Sequence, residues 1–186
     1  MRPATPQHEA ESQRDKGKPR LPPICGDFNI RIDRNGTWYY QGSPIGRLAM
    51  VKLFATVLRR DEDGLYWLTT PVENGRIEVE DVPFIAVELL REGEGRQQVL
   101  RVRTNIDEII AVGPDHPLRI GTAPGRDDSA PYVRVRGNLY ARLARSVYYH
   151  LIELAEADDN DESMLGVWSS GQFFPIGRIS EQDHRA

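Results

Sequence analysis

Alternation of apolar and polar residues marks the start of the folded part of the chain. In the stretch FNIRI, residues 28–32, every second side chain is apolar, and the aromatic stretch TWYYQ follows at residues 37–41. Asn35 and Gly36 lie between them, and this residue pair favours the positive φ angles of a tight hairpin turn. The pattern therefore predicts two antiparallel strands joined by a short turn.

The spacing of apolar residues then becomes helical, and afterwards it returns to that of strands. After Pro44, apolar side chains recur every three or four residues until the turn DEDG at residues 61–64. The strands GLYWLTT and GRIEVED follow, with Asn74 and Gly75 as the predicted turn between them. The first part of the chain is thus predicted to be hairpin, helix and hairpin, and the helical positions are Leu48, Val51, Phe54, Ala55 and Leu58.

From Pro83 onward, short strands dominate the pattern. We predict four of them in a meander, PFIAVELLR, QQVLRVRT, DEIIAVG and PLRIG, and a fifth at YVRVR. The stretch NLYARLARSVYYHLIELAEA is predicted to be one long helix, capped by Asn138, because leucines recur at helical spacing. A last hairpin joins MLGVWSS to QFFPIGRI across Ser170 and Gly171.

The two parts of the chain follow the same order of elements. Both predicted helices open with RLA, at Arg47 and Arg142, and both following strands contain a tryptophan, Trp67 and Trp168. The tetrapeptide PIGR also occurs twice, but its copies fall on different elements. We therefore predict an α+β fold of two related units, each with antiparallel strands and one main helix. The predicted boundaries are a disordered tail at 1–22, units at 23–82 and 83–180, and a tail at 181–186.

Composition narrows the range of functions. The 186 residues carry 24 basic and 28 acidic side chains, a net charge of −4, and the charges are interspersed. Such a chain lacks the basic surface that nucleic acids require, so we expect no nucleic-acid partner. No apolar run reaches the length of about 20 residues that a membrane span needs, and the first residues lack the apolar segment of a secretory signal. We expect a soluble cytoplasmic protein with no membrane partner.

The second face of the predicted long helix suggests a ligand site. It carries Arg142, Arg145 and Tyr149, and two guanidiniums beside an aromatic ring are suited to hold a phosphate and stack a base. The alternative is that both arginines pair with surface carboxylates. Arg47 joins this candidate site through the repeat, and Trp168 and Ser169 are candidate wall residues.

Two histidines are candidate catalytic or metal-binding residues. His150 and Glu153 have an HxxE spacing, but His150 falls within the leucine stripe, which favours a buried structural ring. His116 follows Asp115 in the turn GPDHP, and no serine or cysteine lies in a nucleophile motif. We expect no metal and no cofactor, and the balance favours a protein that is not an enzyme.

Several separated motifs also resemble one bacterial family. The segments GTWYYQGSPIGRLAMVKLF, LYWLTTPVENGRIEVEDVPF, PDHPLR, PYVRVRGNLYARLARSVYYHLIELA and LGVWSSGQFFPIGR are similar, over about residues 24–178, to the family called domain of unknown function 1285. The resemblance implies two related α+β units, the second like a pleckstrin-homology barrel. It also implies a nucleotide-like ligand in the cleft between them and a role in signalling. Asn74 stands where the family often has a lysine.

These observations lead to one expected function and two alternatives. We expect a non-catalytic ligand-binding or signalling module that holds a nucleotide-like or other anionic small molecule between the units, with a possible signalling protein as partner. The alternatives are a protein-interaction module and a hydrolase that uses His116 or the His150 and Glu153 pair.

Overall fold

A computed structural model describes residues 24–125 and 127–179 of the chain. The predicted tails at 1–22 and 181–186 lie outside the described residues. The described chain forms an α+β fold that consists mostly of sheet, with two helices. Its elements in chain order are β1 (Ile24–Ile32), β2 (Trp38–Tyr40), β3 (Ser43–Pro44), α1 (Leu48–Thr56), β4 (Leu58–Arg60), β5 (Tyr66–Thr69), β6 (Asn74–Val79), β7 (Phe84–Glu92), β8 (Val99–Thr104), β9 (Ile109–Ala111), β10 (Leu118–Thr122), β11 (Ser129–Arg136), β12 (Leu139–Leu143), α2 (Arg145–Glu153), β13 (Glu156–Asp158), β14 (Asp161–Ser169) and β15 (Gln172–Arg178).

The first unit is one six-stranded sheet with α1 packed against its inner face. The strand order is β3-β2-β1-β6-β5-β4, and β1 and β6 are parallel, whereas the other pairs are antiparallel. The predicted first hairpin is confirmed, since Ile32 pairs with Trp38 across a turn in which Gly36 has a φ of 77°. Trp38 faces inward and its ring lies 6.3 Å from that of Phe54 on α1.

The second unit has a six-stranded sheet, which curls into half a barrel, and a three-stranded sheet. The strand order of the six-stranded sheet is β10-β11-β12-β7-β8-β9, with β12 parallel to β7. The three-stranded sheet consists of β13, β14 and β15. The predicted last hairpin is present, with Ser170 and Gly171 at positive φ in its turn. Ser170 donates its backbone N–H to the carbonyl of Gln98, which joins the two sheets.

The long helix predicted from Asn138 to about residue 157 is wrong in its first part. Residues 139–143 form strand β12, which lies between β11 and β7, and helix α2 begins only at Arg145 after Ala144 in an extended conformation. The second RLA segment therefore does not open a helix. Arg47 directly precedes α1, whereas Arg142 lies within a strand, so the two arginines do not correspond in position.

Two smaller expectations also change. Asn74 and Gly75 are not a turn, because they are the first residues of β6, and the turn is made at Thr70–Glu73 by hydrogen bonds of the Thr70 hydroxyl and backbone. The predicted meander holds for β7, β8 and β9 only, since β10 pairs with β11 at the far edge of the sheet.

The two units share one hydrophobic core. Buried side chains of all three sheets and both helices form a single cluster that runs from Ile30 to Ile176. Polar contacts across the junction add to it: Arg136 donates to the carbonyl of Ala55 at 2.6 Å, and the Asn105 amide donates to the carbonyl of Gly36 at 3.1 Å. We therefore describe the units as one packed body. No helix in the described ranges is long and apolar enough to cross a membrane.

Candidate functional site

Arg142 is the predicted site residue that the structure places at the junction of the two units. Its guanidinium donates to the carbonyl of Arg34 at 2.6 Å, and Arg34 lies in the turn between β1 and β2. Its Nε lies 3.3 Å from the Asp81 carboxylate, which is only 5% exposed. Asp81 directly follows the first unit's sheet and precedes β7, so the ion pair joins the connecting segment to the second sheet.

The other predicted site residues lie elsewhere. Arg47 is exposed at the start of α1, and Arg145 and Tyr149 are exposed on α2. Trp168 is partly buried beside Arg96, whose guanidinium lies 4.9 Å from the indole. In the described part of the chain, no hydrogen bond, ion pair or ring contact joins these four residues to Arg142, so their joint site stays a prediction.

Ser169 is fully buried and its hydroxyl is already engaged. It accepts a hydrogen bond from the backbone N–H of Leu100 at 2.9 Å and donates one to the carbonyl of Val112 at 2.7 Å. These bonds hold the β14–β15 hairpin against the second unit's main sheet. The Ser169 hydroxyl is therefore not available to line a ligand site.

Tyr132 completes the polar network around Asp81. Its hydroxyl donates to the Asp81 carboxylate at 3.1 Å, and Tyr132 lies opposite Arg142 in the pairing of β11 with β12. Burial, followed by the negative charge of Asp81, raises the pKa of the Tyr132 phenol to about 12. The phenol thus remains a neutral donor to this carboxylate well into alkaline solution.

This raised pKa predicts an alkaline loss of stability. The unfolded chain releases the tyrosine proton near pH ~10, whereas the folded chain keeps it. The stabilising contribution of the Tyr132 phenol is therefore complete below about pH 10 and is lost as the pH rises through about 12. We expect the free energy of unfolding to fall by about 1 to 2 kcal/mol more in wild type than in Tyr132→Phe between about pH 9 and pH 11. Urea titrations across this range measure the difference, and parallel curves for the two proteins would contradict it.

Arginine and tyrosine side chains share one face of strands β10, β11 and β12. Arg119 lies opposite Tyr132, which lies opposite Arg142, and Arg134 lies opposite Tyr140. Residues directly opposite in a sheet, and residues two apart on a strand, project from the same face. We call these five residues the arginine–tyrosine face.

The arginine–tyrosine face is covered at one end and open at the other. At the covered end, Arg142 pairs with Ile85 of β7, and Asn105 beside it contacts the Gly36 turn of the first unit. At the open end, the exposed Arg119 guanidinium lies 4.0 Å from the centre of the Tyr140 ring. The face therefore extends from the junction of the two units into solvent.

Two of the three arginines on this face make no ion pair with any described residue. Asp81 pairs with Arg142, but Arg134 bonds only to the backbone carbonyl of Asp115, and Arg119 has no hydrogen bond or ion pair with any described residue. A guanidinium that stacks on a ring keeps its N–H groups directed along its edge. Arg119 can thus donate two parallel hydrogen bonds to a phosphate or carboxylate.

The sequence contains a pattern typical of the strands that carry this face, but the same residues also match the long helix predicted from Asn138. In YVRVRGNLYARLA, residues 132–144, polar and apolar side chains alternate on both sides of Gly137 and Asn138, which is typical of a hairpin. The spacing of Leu139, Leu143, Val147 and Leu151 matches a helix equally well, and it led to the helix prediction. Arg119, Arg134 and Tyr140 were consequently missed.

The histidines do not form a catalytic group with other side chains. Nδ1 of His116 lies 3.0 Å from the carbonyl of Arg134, so that nitrogen carries the ring proton and ties the GPDHP turn to β11. His150 is exposed on α2, so its prediction as a buried ring is wrong. Within residues 24–125 and 127–179, no three His, Cys, Asp or Glu side chains form a group that could hold a metal ion.

The exposure of His150 changes the expected effect of removing it. We expect His150→Ala to alter the free energy of unfolding by less than about 0.5 kcal/mol, because exposed substitutions without partners have small effects. Leu151→Ala, one position further on the same helix, is the matched control and is expected to cost about 2 to 5 kcal/mol, because Leu151 is buried. Similar losses for both variants in urea titrations would contradict this assignment.

Comparisons with known proteins agree on one family. The model of "Domain of unknown function (DUF1285), N-terminal domain" matches residues 20–82, and that of "Protein of unknown function (DUF1285), C-terminal domain" matches residues 83–176. A crystal structure of a DUF1285 family protein from Silicibacter pomeroyi DSS-3 is 43% identical, with a TM-score of 0.80 over 87% of this chain and 86% of that chain. Another, from Shewanella baltica OS155, is 27% identical, with a TM-score of 0.52 over 67% of this chain and 91% of that chain. No curated protein matches the chain.

Proposed function

The chain belongs to the DUF1285 family, and from this premise and the geometry above we propose that it is a non-catalytic module that binds a small anion with an aromatic part, such as a nucleotide. The observation that carries the proposal is the Arg119 guanidinium, which is stacked on Tyr140 at the open end of the arginine–tyrosine face and has no acidic partner among the described residues. The proposed ligand places its anionic group against Arg119 and its planar part along the arginine–tyrosine face.

The location supports a binding role over catalysis. Tyr132 and Arg142 are held by Asp81, so this part of the face is rigid before any ligand arrives, and a rigid site loses less entropy on binding. Around the face, His116 already bonds to the carbonyl of Arg134, and the hydroxyl of Tyr132 already bonds to Asp81. The guanidinium of Arg119, which remains available, binds anions and does not transfer protons at neutral pH.

Calorimetric titration with adenosine monophosphate, and separately with inorganic pyrophosphate, tests the proposal. We expect saturable binding of the nucleotide, weakened about ten- to a hundred-fold in Arg119→Ala, because a charge-assisted contact contributes about 1.5 to 3 kcal/mol. Arg119→Lys keeps the charge but not the planar fork, so we expect an intermediate affinity.

Arg47→Ala and Arg145→Ala serve as matched controls, because both guanidiniums are exposed and both belong to the site predicted from sequence. Unchanged affinity in these two variants and a loss in Arg119→Ala would favour the arginine–tyrosine face. A loss in the controls alone would favour the sequence-based site. Product analysis of the same mixtures tests the hydrolase alternative. The signalling role, the protein partner and the cytoplasmic location stay predictions.

A further inference from the structure

Strand β9 forms a free edge of the second unit's six-stranded sheet, at the opposite end of the strand order from β10. Its ladder with β8 extends by one residue beyond each end of the strand. The backbone N–H of Thr104 donates to the carbonyl of Glu108 at 2.9 Å, and that of Val112 donates to the carbonyl of Leu100 at 2.8 Å. The open edge therefore spans residues 108–112 and is longer than β9 itself.

The backbone groups of Ile109 and Ala111 point away from β8. In an antiparallel ladder, pairs that exchange hydrogen bonds alternate with pairs that do not, so the positions bonded to β8 are Glu108, Ile110 and Val112. The N–H and carbonyl groups of the two residues between them make no hydrogen bond with any described residue. This edge thus presents donors and acceptors in the spacing that another strand requires.

The edge at β9 also lacks the usual protection against pairing with another strand. Natural sheets protect their edges with proline, with charged side chains or with a covering element. The other sheet edges among the described residues each have such a device: a proline in β3, two arginines in β4, two acidic residues in β13, and the contact of β10 with β15. The three residues of β9 are Ile-Ile-Ala, and its pairing with β8 contains no bulge.

The side chains of β9 are complementary to those of a second copy of the same strand. Ile109 is 55% exposed, and Ala111, two residues further on, projects from the same face. If two copies of β9 lie antiparallel about Ile110, each Ile109 faces the smaller Ala111 of the other copy. Each facing pair then exchanges both of its backbone hydrogen bonds, which are the bonds that a single chain leaves unmade.

The charges beside β9 are paired within the chain, which favours a second copy over a charged partner. On the neighbouring strand β8, Arg103 pairs with Glu88 at 2.6 Å and Arg101 pairs with Glu92 at 2.8 Å. Asp107, in the turn before β9, pairs with a lysine of α1 at 2.8 Å. Two copies can therefore approach without bringing unpaired like charges together, whereas an acidic or basic peptide finds no free opposite charge among these groups.

We infer that the chain self-associates as a symmetric dimer, in which β9 of one copy pairs antiparallel with β9 of the other and the two six-stranded sheets become continuous. A two-fold axis beside Ile110 relates the copies, so both contribute the same surface. The paired segment is short and buries less than the roughly 1,200 Å² of a stable interface, so the dissociation constant is micromolar or weaker. The arginine–tyrosine face lies on β10, β11 and β12 at the other end of the sheet, and the dimer leaves it open.

Analytical ultracentrifugation of the full chain, from about 5 to about 500 µM, tests this inference. We expect the average mass of the wild type to rise with concentration toward twice the monomer mass. Ala111→Pro removes a free N–H without removing a bond to β8, and Ile109→Lys places two like charges close to the axis. Each is expected to weaken dimerisation at least about ten-fold. Ile109→Lys alone decides if Ala111→Pro fails to give a native amide spectrum, since the Ile109 side chain is exposed.

Val72→Lys is the matched control, because Val72 is an exposed apolar residue in a turn of the first unit, and it is expected to leave dimerisation unchanged. Hydrogen exchange then identifies the edge that is used. The amides of Ile109 and Ala111 should exchange several-fold more slowly at the highest concentration than at the lowest, because they are bonded only in the dimer.

Four results would overturn the inference of a β9-paired dimer. The first is a wild type that stays monomeric over the whole concentration range. The second is a dimer that persists in the folded Ala111→Pro and Ile109→Lys variants. The third is a dimer that Val72→Lys dissociates as well. The fourth is equal exchange of the Ile109 and Ala111 amides at the lowest and highest concentrations, which would place the contact elsewhere on the molecule.

Discussion

Replacing Arg142 with alanine is expected to lower the free energy of unfolding by about 3 kcal/mol. The substitution removes the ion pair with Asp81, whose carboxylate is 5% exposed, and the hydrogen bond to the carbonyl of Arg34. The substitution is costly because the Asp81 carboxylate keeps the hydrogen bond from Tyr132 but loses part of the compensation of its charge in a poorly solvated place. The Arg142 side chain is itself 23% exposed, which puts our figure at the lower end of the range for fully buried pairs.

Urea unfolding titrations measure the free energy of unfolding of Arg142→Ala and of the control variant Arg145→Ala. Arg145 lies three residues further along the chain, is exposed and makes no ion pair with any described residue, so we expect its loss to cost less than about 0.5 kcal/mol. The double variant Asp81→Ala with Arg142→Ala should be less destabilised than the sum of the single variants, because the two side chains interact directly. If Arg142→Ala lowers the free energy of unfolding by less than about 1 kcal/mol, the ion pair of Arg142 with Asp81 is no stronger than a solvent-exposed ion pair.

Phe84→Ala is expected to lower the free energy of unfolding by about 3 to 5 kcal/mol. Phe84 is completely buried at the start of β7, where this strand pairs with β12. It belongs to the single core cluster of both units, so the cavity that the substitution leaves weakens the core on both sides of the junction. Tyr140→Ala, on the neighbouring strand but on the partly exposed arginine–tyrosine face, is the control and should cost less.

Phe84→Ala also tests whether the two units unfold together. Trp38 and Trp67 report on the first unit and Trp168 on the second, so versions that keep one tryptophan at a time follow each unit by fluorescence. With one shared core, the midpoints of both units should fall by the same amount in Phe84→Ala. A lowered midpoint for the second unit alone would show that the two units unfold independently.

A shared core has a consequence for the proposed binding role. The arginine–tyrosine face belongs to the second unit, but its covered end is closed by the turn of the first unit that contains Arg34 and Gly36. Because the contacts across this junction include buried groups, the face keeps its shape without a ligand. We therefore expect binding there to proceed without a large movement of one unit against the other.

Local features of the sequence determined most of the elements. Gly36 in one turn and Gly171 in another adopt positive φ angles, which glycine does at little cost whatever surrounds it, and both hairpins are present. Helix α1 was predicted from its spacing, although it ends at Thr56, earlier than the pattern indicated. The division into two α+β units also followed from the sequence, because the order of elements is a property of the chain itself.

Only the tertiary structure decided where the second helix begins and which side chains meet. Leu139 and Leu143 match a helix and a strand equally well, and the pairing of β12 with β7, more than fifty residues away, selects the strand. The pairings of β10 with β11 and of β11 with β12 bring Arg119 to Tyr140 across the intervening strand. In the first unit, the parallel pairing of β1 with β6 brings Asp27 to Glu78. Contacts of this kind depend on hydrogen bonds between distant strands and on a common core, and neither leaves a periodic signal within any short stretch of sequence.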